Sequence, residues 1–232
     1  DNITNDTGNS TSGSRIFVKN SGNAGMRVEK LNTTATNIPE AINKGYISIS
    51  SSNTTNTGSV GMIANKGGKA TNTGTGNIVL SGIRNAGMYA GLNSAEIINE
   101  GTISGISVTN TVGMQIETGG KGTNKGNIGT TTTSFSGTGV TGVYNQGSFT
   151  MSSGIINTSG TSATGIYATG TSSTTSITGG SITTSGTDSV GLYADGAAIN
   201  ISNTSITTGS GGLMFYNYSN NTTTTQSGNF IL

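Results

Sequence analysis

The chain has 232 residues, a formal net charge of +1, 8% charged and 30% hydrophobic residues, 39 glycines, one proline, and neither Cys nor His. Without Cys or His, disulfides, Cys-ligated metal sites and Ser/His or Cys/His nucleophilic schemes are excluded. The basic residues are scattered, which argues against a nucleic-acid stripe or a polybasic membrane patch, and no apolar run approaches the ~20 residues needed to cross a bilayer as a helix.

Thr, Ser, Asn and Gly make up roughly three fifths of the sequence. Such a mixture usually leaves too little apolar surface to offset chain entropy. Here the apolar residues recur in register, which suits a solenoid whose few inward side chains are covered by the next coil. Residues 1 to 14 hold Asn, Thr, Ser and Gly with one Ile, and predict a disordered or frayed segment. Residues 15 to 232 read as one domain. Ile16 and Val18 alternate as its first strand, and Asn20-Ser21-Gly22 turns the chain.

A phrase then repeats: Val60-Gly61-Met62-Ile63-Ala64, Ala86-Gly87-Met88-Tyr89-Ala90, Val112-Gly113-Met114-Gln115-Ile116, Thr164-Gly165-Ile166-Tyr167-Ala168 and Val190-Gly191-Leu192-Tyr193-Ala194, with looser copies around Gly25, Gly142 and Gly212. From Gly25 onward its glycines stand 36, 26, 26, 29, 23, 26 and 21 residues apart. A period of this size marks stacked units that cannot bury their apolar face alone. Alternation predicts a strand with Val60, Met62 and Ala64 inward and Gly61 and Ile63 outward. The long first interval contains Thr33 to Pro39, which we read as an insertion, since Pro39 cannot donate to a ladder.

A second phrase follows: Ile42-Asn43-Lys44-Gly45-Tyr46-Ile47, Asn72-Thr73-Gly74, Ile98-Asn99-Glu100-Gly101-Thr102-Ile103 and Asn124-Lys125-Gly126-Asn127-Ile128. It predicts a corner where Asn and Gly supply positive φ and stacked Asn side chains form a hydrogen-bonded ladder. The fold expected is all-β: a single-stranded parallel β-helix with about three short strands per coil and roughly eight to nine coils. At the ~4.8 Å spacing of adjacent strands this makes a rod about 40 Å long. The chain begins at Asp1 without Met and ends on the apolar Phe230-Ile231-Leu232, so we read it as a fragment whose solenoid continues at both ends.

The alternation of "INKGYIS" and "IINEGTISG" with "VGMIAN", "AGMYA" and "VGLYADG" resembles the passenger-domain repeats of type V autotransporter adhesins, closest to the large fusobacterial outer-membrane adhesins. The resemblance covers most of residues 16 to 210. It implies a right-handed parallel β-helix displayed on the bacterial cell surface or secreted, anchored in the outer membrane by a C-terminal barrel beyond this chain. It also implies attachment to host cells or other bacteria through a surface protein or glycan. From composition and charge, no nucleic-acid binding, membrane insertion by this segment or cofactor is expected.

Glu96, Glu100 and Glu117 are the acidic cluster that a sugar-cleaving β-helix would need. Glu100 shares a corner position with Lys125, so a surface ion pair is the simpler reading, and no enzymatic activity is expected. Outward on the phrase strand come Arg27, Ile63, Tyr89, Gln115, Tyr144, Tyr167, Tyr193 and Met214, each two residues after a glycine. The tyrosines Tyr89, Tyr144, Tyr167 and Tyr193 form a candidate recognition strip with a glycine groove alongside, suited to a sugar face or a protein partner. The competing reading is structural, with Tyr stacked on Tyr to stiffen a stalk. Thr71-x-Thr73-x-Thr75 and Thr131-x-Thr133 have the spacing of ice-binding arrays but do not recur in one register, so the Thr and Ser surplus is read as solvated β-formers on the outer faces.

Overall fold

Short strands separated by turns bring every third strand back over the first, and each returns in parallel register. The computed structural model describes residues 2–31, 34, 36–52, 58–218 and 223–227, which hold 27 strands and no helix. All strand pairs are parallel and lie in three sheets of nine, ten and eight strands, so the molecule is a parallel β-solenoid with about three strands per coil. One coil runs Ala86–Ala90, Glu96–Asn99 and Thr102–Gly105. The eight-stranded sheet collects the repeated phrase, from Ala24–Glu29 to Leu213–Asn217. Eight stacked strands bound seven complete turns, about 34 Å at ~4.8 Å per rung.

The core is built as columns, one residue per coil. Met62, Met88, Met114, Val143, Ile166 and Leu192 stack on the phrase sheet, and Ile47, Ile78, Ile103, Ile128, Ile156, Ile182 and Ile206 stack on the ten-stranded sheet. Each of these side chains is essentially inaccessible to solvent. Sizes compensate across the interior. Where Ala90 gives way to Ile116 in the next coil, the facing Ile97 gives way to Gly122, whose Cβ would lie 2.7 Å from Ile116 Cγ1.

Alternation misplaces the glycine. Gly61, Gly87, Gly113, Gly142, Gly165 and Gly191 are buried, while Val60 is only half-buried, so two consecutive residues of each phrase, Gly and its successor, turn away from solvent. A Cβ at Gly61 would lie 2.5 Å from Gly87 O in the next coil and 2.8 Å from Ile78 Cγ2. The same two obstacles, a carbonyl one coil on and an inward Ile, recur at Gly25, Gly87, Gly113, Gly142, Gly165 and Gly191. There is consequently no glycine groove beside the tyrosines. The last copy is also displaced: Tyr193 pairs with Tyr216 and Leu192 with Phe215, which places Met214, not Gly212, in the glycine column. Met214 fits because no described phrase strand stacks beyond it to supply the carbonyl a Cβ would strike.

The nine-stranded sheet carries the asparagine column. Asn5 Nδ2 donates to Asn43 Oδ1 at 2.7 Å, Asn43 to Asn72 at 2.7 Å, Asn72 to Asn99 at 2.8 Å and Asn99 to Asn124 at 2.8 Å, and Asn124 ends the run on Gly126 O at 3.1 Å. Asn43, Asn72, Asn99 and Asn124 do not have positive φ, so the corner uses their amides and not their backbone freedom. Beyond Asn124 the column turns apolar, with Met151, Ile177 and Ile201.

This ladder starts inside the segment expected to fray. Ile3–Asn5 is a strand paired with Glu40–Asn43, because Asn5 supplies the first rung, and residues 6–14 close as a turn in which Asn9 Oδ1 accepts from Thr11 N and Ser12 N at 2.8 Å. Pro39 lies immediately before Glu40–Asn43 and its carbonyl accepts from Lys69 N, while Thr33 and Phe230-Ile231-Leu232 lie outside the described residues. The Thr and Ser surplus is not confined to outer faces. Thr158, Thr175 and Thr184 are fully buried in core columns, and Ser59, Asn85 and Thr111 line a second interior corner in which Ser59 N donates to Asn85 Oδ1 at 2.9 Å. A chain with 30% hydrophobic residues fills its interior by giving some inward positions to small polar side chains.

Candidate functional site: an outward tyrosine column

The outward row of the phrase sheet follows from the register of successive coils. Arg27, Ile63, Tyr89, Gln115, Tyr144, Tyr167, Tyr193 and Tyr216 occupy one rung each. All four predicted tyrosines lie in this row, and Tyr216 extends it where the sequence reading placed Met214. The register signal that would have found Tyr216 is the tyrosine itself, which marks the phrase better than the glycine does in the last copy.

Tyr144, Tyr167 and Tyr193 are stacked ring on ring. Centroids are 5.4 Å apart at 17° for Tyr144 and Tyr167, and 4.5 Å apart at 8° for Tyr167 and Tyr193. Tyr216 continues the contact at 5.1 Å with a 40° tilt, and Tyr218 lies 6.4 Å from Tyr193. The rings are half-buried, and burial raises the phenol pKa of Tyr89, Tyr144, Tyr167 and Tyr193, with nearby carboxylates adding to it. Glu117 acts on Tyr89 and Tyr144, and Asp195 on Tyr167 and Tyr193. The phenols are therefore neutral hydrogen-bond donors at neutral pH. Stacking also means that inside the run each ring face is covered by its neighbour. What this stretch offers outward is ring edges and hydroxyls.

Tyr89 stands apart. Gln115 intervenes between it and Tyr144, and its Nε2 donates to Glu117 Oε1 at 2.7 Å. No family model, curated protein or solved structure matches this chain. Its chemistry must be read from its own surfaces.

Of the three candidate acids only Glu96 lies within a strand, while Glu100 stands at the corner after Glu96–Asn99 and Glu117 just after Val112–Ile116. Glu96 belongs to a column of alternating charge on the nine-stranded sheet, Glu40, Lys69, Glu96 and Lys121, in which Lys69 Nζ lies 2.9 Å from Glu40 Oε1. That hydrogen bond is the main reason the Lys69 pKa is raised, against a smaller opposing effect of burial. Glu100 pairs with Lys125 at 3.4 Å, both about half exposed, as the corner position suggested, and such a pair adds little stability. Glu117 lies on the tyrosine face. The described residues contain no group of three or more His, Cys, Asp or Glu able to hold a metal ion.

Proposed function

We propose that this chain is a rod segment of a surface-displayed adhesin, which attaches to a protein or glycan of host cells or other bacteria through its tyrosine face. The observation that carries this reading is the half-exposed column Tyr144, Tyr167, Tyr193 and Tyr216, one aromatic per coil on a single outer face. Aromatic side chains with polar tips supply large contact area at low entropic cost, and a contiguous row of them is an interaction surface more often than an accident of composition. The resemblance of the repeated phrases to autotransporter passenger repeats supports display outside the cell, anchored to the outer membrane through a barrel beyond this chain. Because one rod offers shallow contacts, attachment draws on many copies at a surface.

The second reading is a stalk that projects a distal binding domain, favoured by the ring-on-ring packing of Tyr167 and Tyr193 at 4.5 Å. Coating beads densely with the chain and presenting them to host cells, partner bacteria and a glycan array separates the two. Saturable attachment, lost when Tyr144, Tyr167 and Tyr193 are all changed to Ala with the β-sheet circular dichroism intact, is the expected result. Attachment that survives the triple variant removes the column from consideration, and attachment to nothing leaves the stalk.

A further inference from the structure

The tyrosine column has one break, and at the break no aromatic ring covers the facing sides of Tyr89 and Tyr144. Tyr167 is covered by Tyr144 on one side and Tyr193 on the other, whereas Tyr89 and Tyr144 each have Gln115, not an aromatic ring, on the rung between them. The Gln115 amide is drawn aside toward Glu117, with Nε2 to Oε1 at 2.7 Å, which holds amide and carboxylate side by side and leaves an oxygen of each able to accept. Among the described residues Glu117 has no Lys or Arg partner.

The neighbouring coil shapes the other edge. Glu117 N donates to Ala90 O at 2.9 Å, which sets Glu117 beside Gly91. A Cβ at Gly91 would collide with Asn65 Oδ1 and lie 3.3 Å from Tyr89 Cε1, so the space that glycine leaves is filled by the Asn65 amide and the leaning Tyr89 ring. Two phenol rings, two amides and one carboxylate without a cationic partner thus converge on one half-buried patch of the rod.

This set matches an uncharged sugar. The C–H face of a pyranose packs on a phenol ring that no second aromatic ring covers, its hydroxyls donate to Glu117 and Gln115 oxygens, and the neutral phenols donate to its oxygens. An anionic sugar would meet the charge of Glu117, and a flat apolar ligand would leave the amides and the carboxylate desolvated without partners. The geometry points to a neutral-saccharide subsite formed by Tyr89, Gln115, Glu117 and Tyr144. It rests on reading the tyrosine face as a recognition surface and names the ligand class and the rung at which it sits.

The test is a titration of the whole 232-residue chain with methyl glycosides of glucose, galactose and N-acetylglucosamine, beside a sialoside and a lysine amide, followed by NMR shifts of the Gln115 side-chain amide and the Tyr89 ring. At least one neutral glycoside shifts both signals saturably, Glu117→Gln weakens it by about tenfold or more, and Glu100→Gln, the same change at the corner after Glu96–Asn99, leaves it unaltered. The subsite is overturned if no neutral glycoside moves the Gln115 amide, if only the charged ligands do, or if Glu117→Gln binds as tightly as the parent. Cell attachment without a saccharide response at Gln115 sinks this inference and leaves the adhesive reading standing. A saccharide response without attachment does the reverse.

Discussion

At Gly113 one absent methyl group decides whether two coils can stack. A Cβ there would stand 2.5 Å from Gly142 O and 2.7 Å from Ile128 Cγ2. The carbonyl belongs to a paired strand and the isoleucine to a fully buried column, so neither can yield without moving its neighbours. Gly113→Ala is expected to cost about 3 kcal/mol by urea denaturation. Gly74→Ala, whose Cβ would meet nothing within 4 Å, should stay within about 0.5 kcal/mol. The recurrence of this glycine is plain in the sequence, but its direction is not. A strict two-residue period sends it outward, and only pairing between coils, which runs through Met62 and Met88 on one side and Val60 and Ala86 on the other, reveals that Gly61 and Gly87 sit where two backbones nearly touch.

The asparagine column shows what can be read at the level of an element. Asn43, Asn72, Asn99 and Asn124 announce themselves by sharing a place in the second phrase, whereas Asn5 is hidden in a segment whose composition alone suggests fraying. Amide ladders of this kind satisfy each other inside a core that offers no water. An inner rung should therefore cost more to remove than the last. Asn72→Ala orphans the Nδ2 of Asn43 and the Oδ1 of Asn99, a loss of about 2–4 kcal/mol. Asn124→Met extends the apolar run begun by Met151, and Asn99 Nδ2 keeps its second acceptor, Asn127 O at 3.3 Å, so the loss should be about 1–2 kcal/mol. Chemical denaturation of the two variants checks the order. Equal losses would mean that the rungs do not act as a chain of separate bonds. The outward row was legible for the same reason as the ladder, one residue per coil. The open rung at Gln115 was not, because the side-chain tilt that joins Gln115 to Glu117 leaves no trace in spacing.

Across the whole molecule, contacts run between a coil and its two neighbours, so damage should spread by proximity along the rod and not by sequence distance. The period of the phrases carried the architecture because any chain that repeats about every 26 residues must place equivalent side chains on equivalent rungs. What the period could not show is how thin the apolar core is allowed to be, since inward Thr158 and Thr184 look in sequence like surface residues. Met114→Ala tests the consequence. Met114 is fully buried and pairs with Met88 before it and Val143 after it. Its truncation should cost about 2–5 kcal/mol. Amide exchange should then quicken in Ala86–Ala90, Val112–Ile116 and Thr141–Asn145, while Ala24–Glu29 and Ser205–Thr208, several coils away on either side, keep their parent rates. Equal acceleration in all five segments would show instead that the rod opens as a single cooperative unit, and that stability is shared over its full length and not held between adjacent coils.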